Sequence, residues 1–223
     1  MSKLIIGARR GIGLEVVRQL RARGDTVIAA ARTSSAELEA TGAEIHTEVD
    51  ITRHETLRAL ATALADRELD WLLVVAGVMS KQRLGALDEA AVAGIHQQFE
   101  TNALGPLMAA EALAPRVRPG GKLGILTSRM GSLADNTSGN SYGYRMSKAA
   151  VNMAGVSLAH DLRERAIAVA LLHPGWVRTD MTAHNGLIDP PESAAGIIRC
   201  MDELTLEETG RFWHAPKGEP LPW

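Results

Sequence analysis

The chain has 223 residues, 46% hydrophobic and 22% charged, enough apolar material for one sizeable core. A formal net charge of −2 gives no pull toward nucleic acid or an acidic membrane surface, and a single cysteine excludes an internal disulfide framework. No apolar stretch approaches the roughly 20 residues of a membrane span, and the amino end lacks the pattern of a targeting signal, so a cytoplasmic protein is expected.

In chain order, short apolar runs alternate with longer helical patterns. Residues 3–6, 26–31, 44–49, 71–75, 122–127 and 167–172 read as strands, with the few charges expected of strands buried on both faces of a parallel sheet. Helical patterns cover 13–23, 53–67 and 142–165, and the long segment 88–118 is expected to break or end at Pro106 and Pro115. Cys200 follows Ile197 and Ile198 in another helical pattern and reads as a small core residue. This alternation predicts a single-domain α/β fold over 1–223: a Rossmann-type, doubly wound parallel sheet of six or seven strands with helices on both faces.

The first strand runs into Gly7, Ala8, Arg9, Arg10, Gly11, Ile12 and Gly13, and a helix follows. Strand, glycine loop and helix start suit a pyrophosphate, because glycines admit the ligand close to the backbone and the helix presents free N–H groups. The second strand ends in Ala29, Ala30, Ala31, Arg32 and Thr33, with no acid before Glu37. An acid there would serve the ribose 2′-hydroxyl of NAD. Arg32, with Arg10 in the glycine loop, suits the 2′-phosphate of NADP instead.

Tyr144 and Lys148 stand four apart in a helical pattern and so share one face. An ammonium beside a phenol favours the phenolate, which predicts a lowered pKa for Tyr144 and proton exchange with an alcohol or ketone. Tyr142 is the rival, but its partner four residues on is Met146, which carries no charge.

The glycine loop, the Tyr144–Lys148 pair, Ser128 in the run 127–132, Asn102 in 101–105 and the run 174–179 fall in one order along the chain. Jointly they resemble the short-chain dehydrogenase/reductase family, and within it the small carbonyl-reductase-like subgroup of C-factor-like and sniffer-type proteins. The ending Gly218, Glu219, Pro220, Leu221, Pro222, Trp223 is similar to that subgroup's. The resemblance implies a role for each matching residue. Tyr144 would be the general acid or base, with Lys148 holding the nicotinamide ribose, Ser128 the substrate oxygen, and Asn102 a proton-relaying water. Asp50 and Ile51 would meet the adenine. Ala76 and Gly77, with Pro174, Gly175, Val177 and Thr179, would complete the NADP(H) site begun by Gly7, Arg9, Arg10, Gly11, Ile12, Gly13 and Arg32. Two departures stand out: Ile6 replaces the family's usual Thr, and Val74 and Val75 replace its paired Asn, which predicts looser cofactor binding.

The expected activity is NADP(H)-dependent reduction of a ketone or aldehyde, or oxidation of the matching alcohol. The alternative is an NADP(H)-binding signalling protein of the C-factor type with little turnover. The substrate loops are expected at 130–140 and 176–188. Seven histidines without a clustered ligand pattern predict no metal site. Small residues along 102–113 and 144–159 are compatible with a homodimer or homotetramer.

Overall fold

The computed structural model describes residues 2–223. β1 (Ser2–Ile6), β2 (Thr26–Ala30), β3 (Glu44–His46), β4 (Leu69–Val74), β5 (Val117–Leu126), β6 (Ala168–His173) and β7 (Arg211–His214) lie parallel in one sheet. β8 (Glu219–Pro220) adds an antiparallel edge, and the order is β3-β2-β1-β4-β5-β6-β7-β8. Every residue of β4 and of β6 is buried, as an apolar strand covered on both faces must be.

Alternate residues of each strand feed two separate cores. Leu4, Ile6, Ile28 and Ala30 face one way, toward Leu57 and Leu60 of α3 (His54–Ala63), Ala109 and Leu113 of α5 (Gly105–Leu113), and Val151 of α6 (Tyr142–Asp161). Ile5, Val27 and Ala29 face the other way, toward Val16, Val17 and Leu20 of α1 (Gly11–Ala22) and Ala194, Ile197 and Met201 of α7 (Pro190–Glu203). The period of two in a strand produces this division. Cys200 is buried on the second side, where burial pushes its thiol up to about 11 and leaves it an inert core residue.

The sheet exceeds the expected six or seven strands. β7 and β8 were not expected: together they are six residues, with Arg211 and Glu219 exposed, and neither forms an apolar run. Glu48 (φ 63) takes a left-handed turn and ends β3 well before the expected residue 49. A one-turn helix, α2 (Ala36–Glu39), capped by the Ser35 side chain, also went unforeseen.

In the segment 88–118, α4 (Glu89–Phe99), a π-helical turn (Glu100–Leu104) and α5 follow one another with no residue between them. Pro106 has no N–H to offer the carbonyl of Asn102, and the Gly105 N–H bonds Glu100 in the wider i to i−5 pattern. Pro106 thus reshapes the helix rather than ending it, while Pro115 lies in the short 3₁₀ turn that follows. No helix among the described residues is long and apolar enough to cross a membrane.

Candidate active site

The chain reverses direction across the sheet between β1 and β4, and a groove of about 1000 Å³ opens at the carboxyl ends of the strands there. Gly7, Arg9, Arg10, Gly11, Ile12, Gly13, Arg32, Asp50, Ile51, Ala76, Gly77, Tyr144, Lys148, Pro174 and Thr179 all line it. Residues from six separate stretches of sequence therefore converge on one groove.

At two glycines the floor of the groove has no room for a side chain. A Cβ on Gly13 would stand 2.2 Å from the Gly7 carbonyl oxygen, and one on Gly7 would stand 2.6 Å from the Ala76 nitrogen. The start of α1 has no side-chain cap, leaving its first N–H groups for a ligand. The missing Thr and Asn residues leave no gap in this floor. Val75 and Ala76 donate to the Ile6 carbonyl at 2.8 and 3.2 Å, so backbone bonds tie the two strand ends together.

At the end of the groove beside β2 and β3, Asp50 Oδ1 accepts from the Thr52 amide at 2.9 Å and the Thr52 hydroxyl at 2.8 Å. Burial works to raise this carboxyl, but the Thr52 bonds and the nearby Arg32 and Arg53 hold it below the ordinary carboxylate range. Arg32 is exposed beside it. Arg10 is occupied differently: its guanidinium donates to Asp180 at 2.6 Å across the groove, and His184 approaches the other oxygen at 3.3 Å.

At the inner end, α6 presents Tyr144 and Lys148 on one face. The Lys148 ammonium donates to the Leu126 carbonyl at 2.9 Å and lies 5.8 Å from the Tyr144 ring centre. Burial pushes this lysine down to about 8. The expected lowering of Tyr144 is not what the structure shows. Burial outweighs everything else and holds the phenol above its ordinary value, with only a hydrogen bond to Ser128 pulling the other way.

Ser128, Asn102, Gly175 and Val177 do not line the groove wall. Ser128 acts on the Tyr144 phenol electrostatically, and its hydroxyl accepts from the Met130 amide at 3.1 Å. Asn102 is fully buried: Oδ1 takes the Val78 N–H at 2.8 Å, and Nδ2 donates to the Val78 carbonyl at 2.8 Å and Ser147 Oγ at 3.1 Å. Its side chain braces the loop after β4. Gly175 packs against Ile188 and Pro216, and Val177 bridges to Ile188, so both shape the following loop from behind. Asp180, Met181 and His184, which fall within the substrate loop expected at 176–188, also line the groove. Among the described residues, no three His, Cys, Asp or Glu side chains cluster as a metal site would need.

A family model described as short chain dehydrogenase matches residues 3–187. The chain belongs to the short-chain dehydrogenase family. Within it, the chain is 45% identical to the 1-hydroxy-2-glutathionyl-2-methyl-3-butene dehydrogenase of Rhodococcus sp. (strain AD45), covering 99% of this chain and 98% of that one. Two solved short-chain dehydrogenases superpose over 100% of this chain and 99% of their own. One is the carbonyl reductase Sniffer of D. melanogaster, at TM-score 0.90 and 27% identity. The other is a short-chain dehydrogenase/reductase from Burkholderia multivorans with bound NADP, at TM-score 0.89 and 32% identity.

Proposed function

We propose that this short-chain dehydrogenase binds NADP(H) and interconverts a small carbonyl compound and its alcohol, with Tyr144 moving the proton. The observation that carries the reading is the meeting of Tyr144 and Lys148, with Ser128 beside the tyrosine, at the inner end of a groove into which Gly7 and Gly13 leave no room for a Cβ. The uncapped start of α1 and the exposed Arg32, with no acid at the end of β2, fit a pyrophosphate and a 2′-phosphate. When bound, the nicotinamide supplies or accepts the hydride.

Tyr144 then gives its proton to the oxygen of the reduced carbonyl, or takes it from the alcohol. Its raised phenol favours the protonated, donating form, so reduction needs no prior change in the site. Ser128, whose hydroxyl pulls against the rise of that phenol, is the candidate second donor to the same oxygen. Lys148, held by the Leu126 carbonyl, brings a positive charge to the inner end without a carboxylate to cancel it. An intact set of proton-handling groups supports turnover over a purely signalling role.

A second reading concerns direction. The 45% relative is named as the dehydrogenase of an alcohol that carries a glutathionyl group, which favours alcohol oxidation on a thioether of this kind. The test is a panel of ketones and aldehydes with NADPH, and of alcohols, glutathione conjugates among them, with NADP⁺. Turnover in neither direction would refute the reading, and the faster arm assigns the direction.

A further inference from the structure

Tyr144 lies in the first turn of α6, so its place depends on how that helix begins. The two residues ahead, Asn140 (φ 56) and Ser141 (φ 50), are in left-handed conformations that side-chain-bearing residues seldom adopt. Ser141 is the N-cap residue and makes no side-chain cap bond. The cap comes from a distant part of the chain. Gln82 Oε1 accepts the Gly143 N–H at 3.0 Å, and the Gln82 carbonyl accepts the Ser141 N–H at 2.9 Å.

Gln82 is 2% exposed and belongs to the loop after β4. Its Nε2 donates to Ser80 Oγ at 2.7 Å, and Gln98 Nε2 of α4 donates to the same oxygen at 2.9 Å. Gln98 Oε1 in turn accepts the Ser80 N–H at 3.0 Å, while Asn102 holds Val78 at the start of the same stretch. Residues 78–82 have no regular structure, so buried side-chain amides from α4 and the π turn hold them. The seam is tight: a Cβ on Gly143 would fall 2.5 Å from Gln98 Nε2. A buried polar network satisfied from both sides specifies one arrangement, whereas an apolar filling would tolerate several.

We propose that Gln82 is a positioning residue for Tyr144, capping the catalytic helix from outside its own sequence and setting the tyrosine's turn against the loop after β4. This rests on the reading of Tyr144 as the proton-transfer group. Gln82→Leu removes the acceptor and strands the Gly143 N–H. Gln82→Glu keeps an acceptor at the helix start, where a negative charge is also favoured.

The test uses the full chain with NADPH and the best carbonyl of the panel. Gln82→Leu should lower kcat on the order of 10²-fold, as small displacements of reacting groups do, while the Kd for NADPH stays put. Gln82→Glu should retain most of the turnover. Two readouts do not depend on activity. Amide exchange at Gly143 should be protected in the wild type and in Gln82→Glu but fast in Gln82→Leu. With only two tyrosines in the chain, ring-carbon NMR isolates Tyr144 by comparison with Tyr142→Phe, and its signal should move in Gln82→Leu. Unchanged turnover in Gln82→Leu, a matching loss of NADPH affinity, or a Gly143 amide equally protected in both variants overturns the proposal. If Gln82→Leu does not fold, Gln82→Glu decides, since an unprotected Gly143 there removes the cap. A wild type that turns over nothing would sink the reading of Tyr144, while the exchange data would still judge the cap.

Discussion

The two arginines expected to recognise a 2′-phosphate stand in different circumstances, and that difference sets their unequal worth. Arg32 is exposed at the end of β2 with no partner closer than the neighbourhood of Asp50, so it can meet a phosphate without giving up an ion pair. A hydrogen bond between charged groups contributes about 1.5–3 kcal/mol. Arg32→Ala should therefore weaken NADPH binding roughly 10- to 150-fold and leave NADH nearly unchanged. Arg10 must first leave Asp180, 2.6 Å away, with the two side chains 71% and 59% exposed. An exposed pair of this kind is worth about 0–1 kcal/mol. Arg10→Ala should therefore cost less than Arg32→Ala, and Asp180→Asn should tighten NADPH by at most about fivefold. Ala31→Asp should invert the preference, because a carboxylate at that buried strand end suits a ribose hydroxyl and repels a phosphate. The assay is the Kd for both cofactors by fluorescence titration at ~0.1 M salt, where the screening length is about 10 Å. A wild type that binds NADH as tightly as NADPH refutes the reasoning, as does Arg32→Ala weakening both alike.

Tyr144→Phe should cut turnover by about 10²–10⁴-fold with cofactor affinity kept, and Tyr142→Phe should do far less; equal effects would mean that the wrong tyrosine has been chosen. Lys148 is pushed down to about 8 from 10.5, so between those values the unfolded chain binds more protons and stability rises with pH, by about 3 kcal/mol from this group. Denaturant unfolding across that window should show the rise in the wild type minus Lys148→Met difference, and a flat difference would count against it. His173, buried and adjacent to His214 at a ring-centre distance of 5.0 Å, is pushed down to about 3. Its neutral form supports the fold above about pH 6.5, and that support is lost as pH falls toward 3, so His173→Gln should unfold at lower pH than the wild type in an acid titration. An unchanged acid midpoint would show that this imidazole is not the group responsible.

The groups that carry the proposed chemistry were largely legible because each announces itself over a short span. The glycine loop follows its strand directly, and the choice of Tyr144 over Tyr142 needed only the helical period and Lys148. Ser128 could be found by resemblance, but its influence on the Tyr144 phenol could not. Gln82 and Gln98 carried no signal at all, since a glutamine in a loop or on a helix is ordinary until its burial is known.

Sequence alone thus determined the strands and helices whose apolar pattern repeats locally, the glycine loop and the spacing of the tyrosine and lysine. These rest on interactions between residues a few positions apart. Only the tertiary structure decided that Arg10 faces Asp180, 170 positions away, and that Gln82 caps a helix 61 positions on. It also decided that Tyr144 is raised, not lowered. Desolvation depends on how completely the assembled chain surrounds a group, and no spacing along the sequence measures that. The last two strands belong with these: six residues without an apolar run become strands only because β6 and then β7 offer them an edge to pair with.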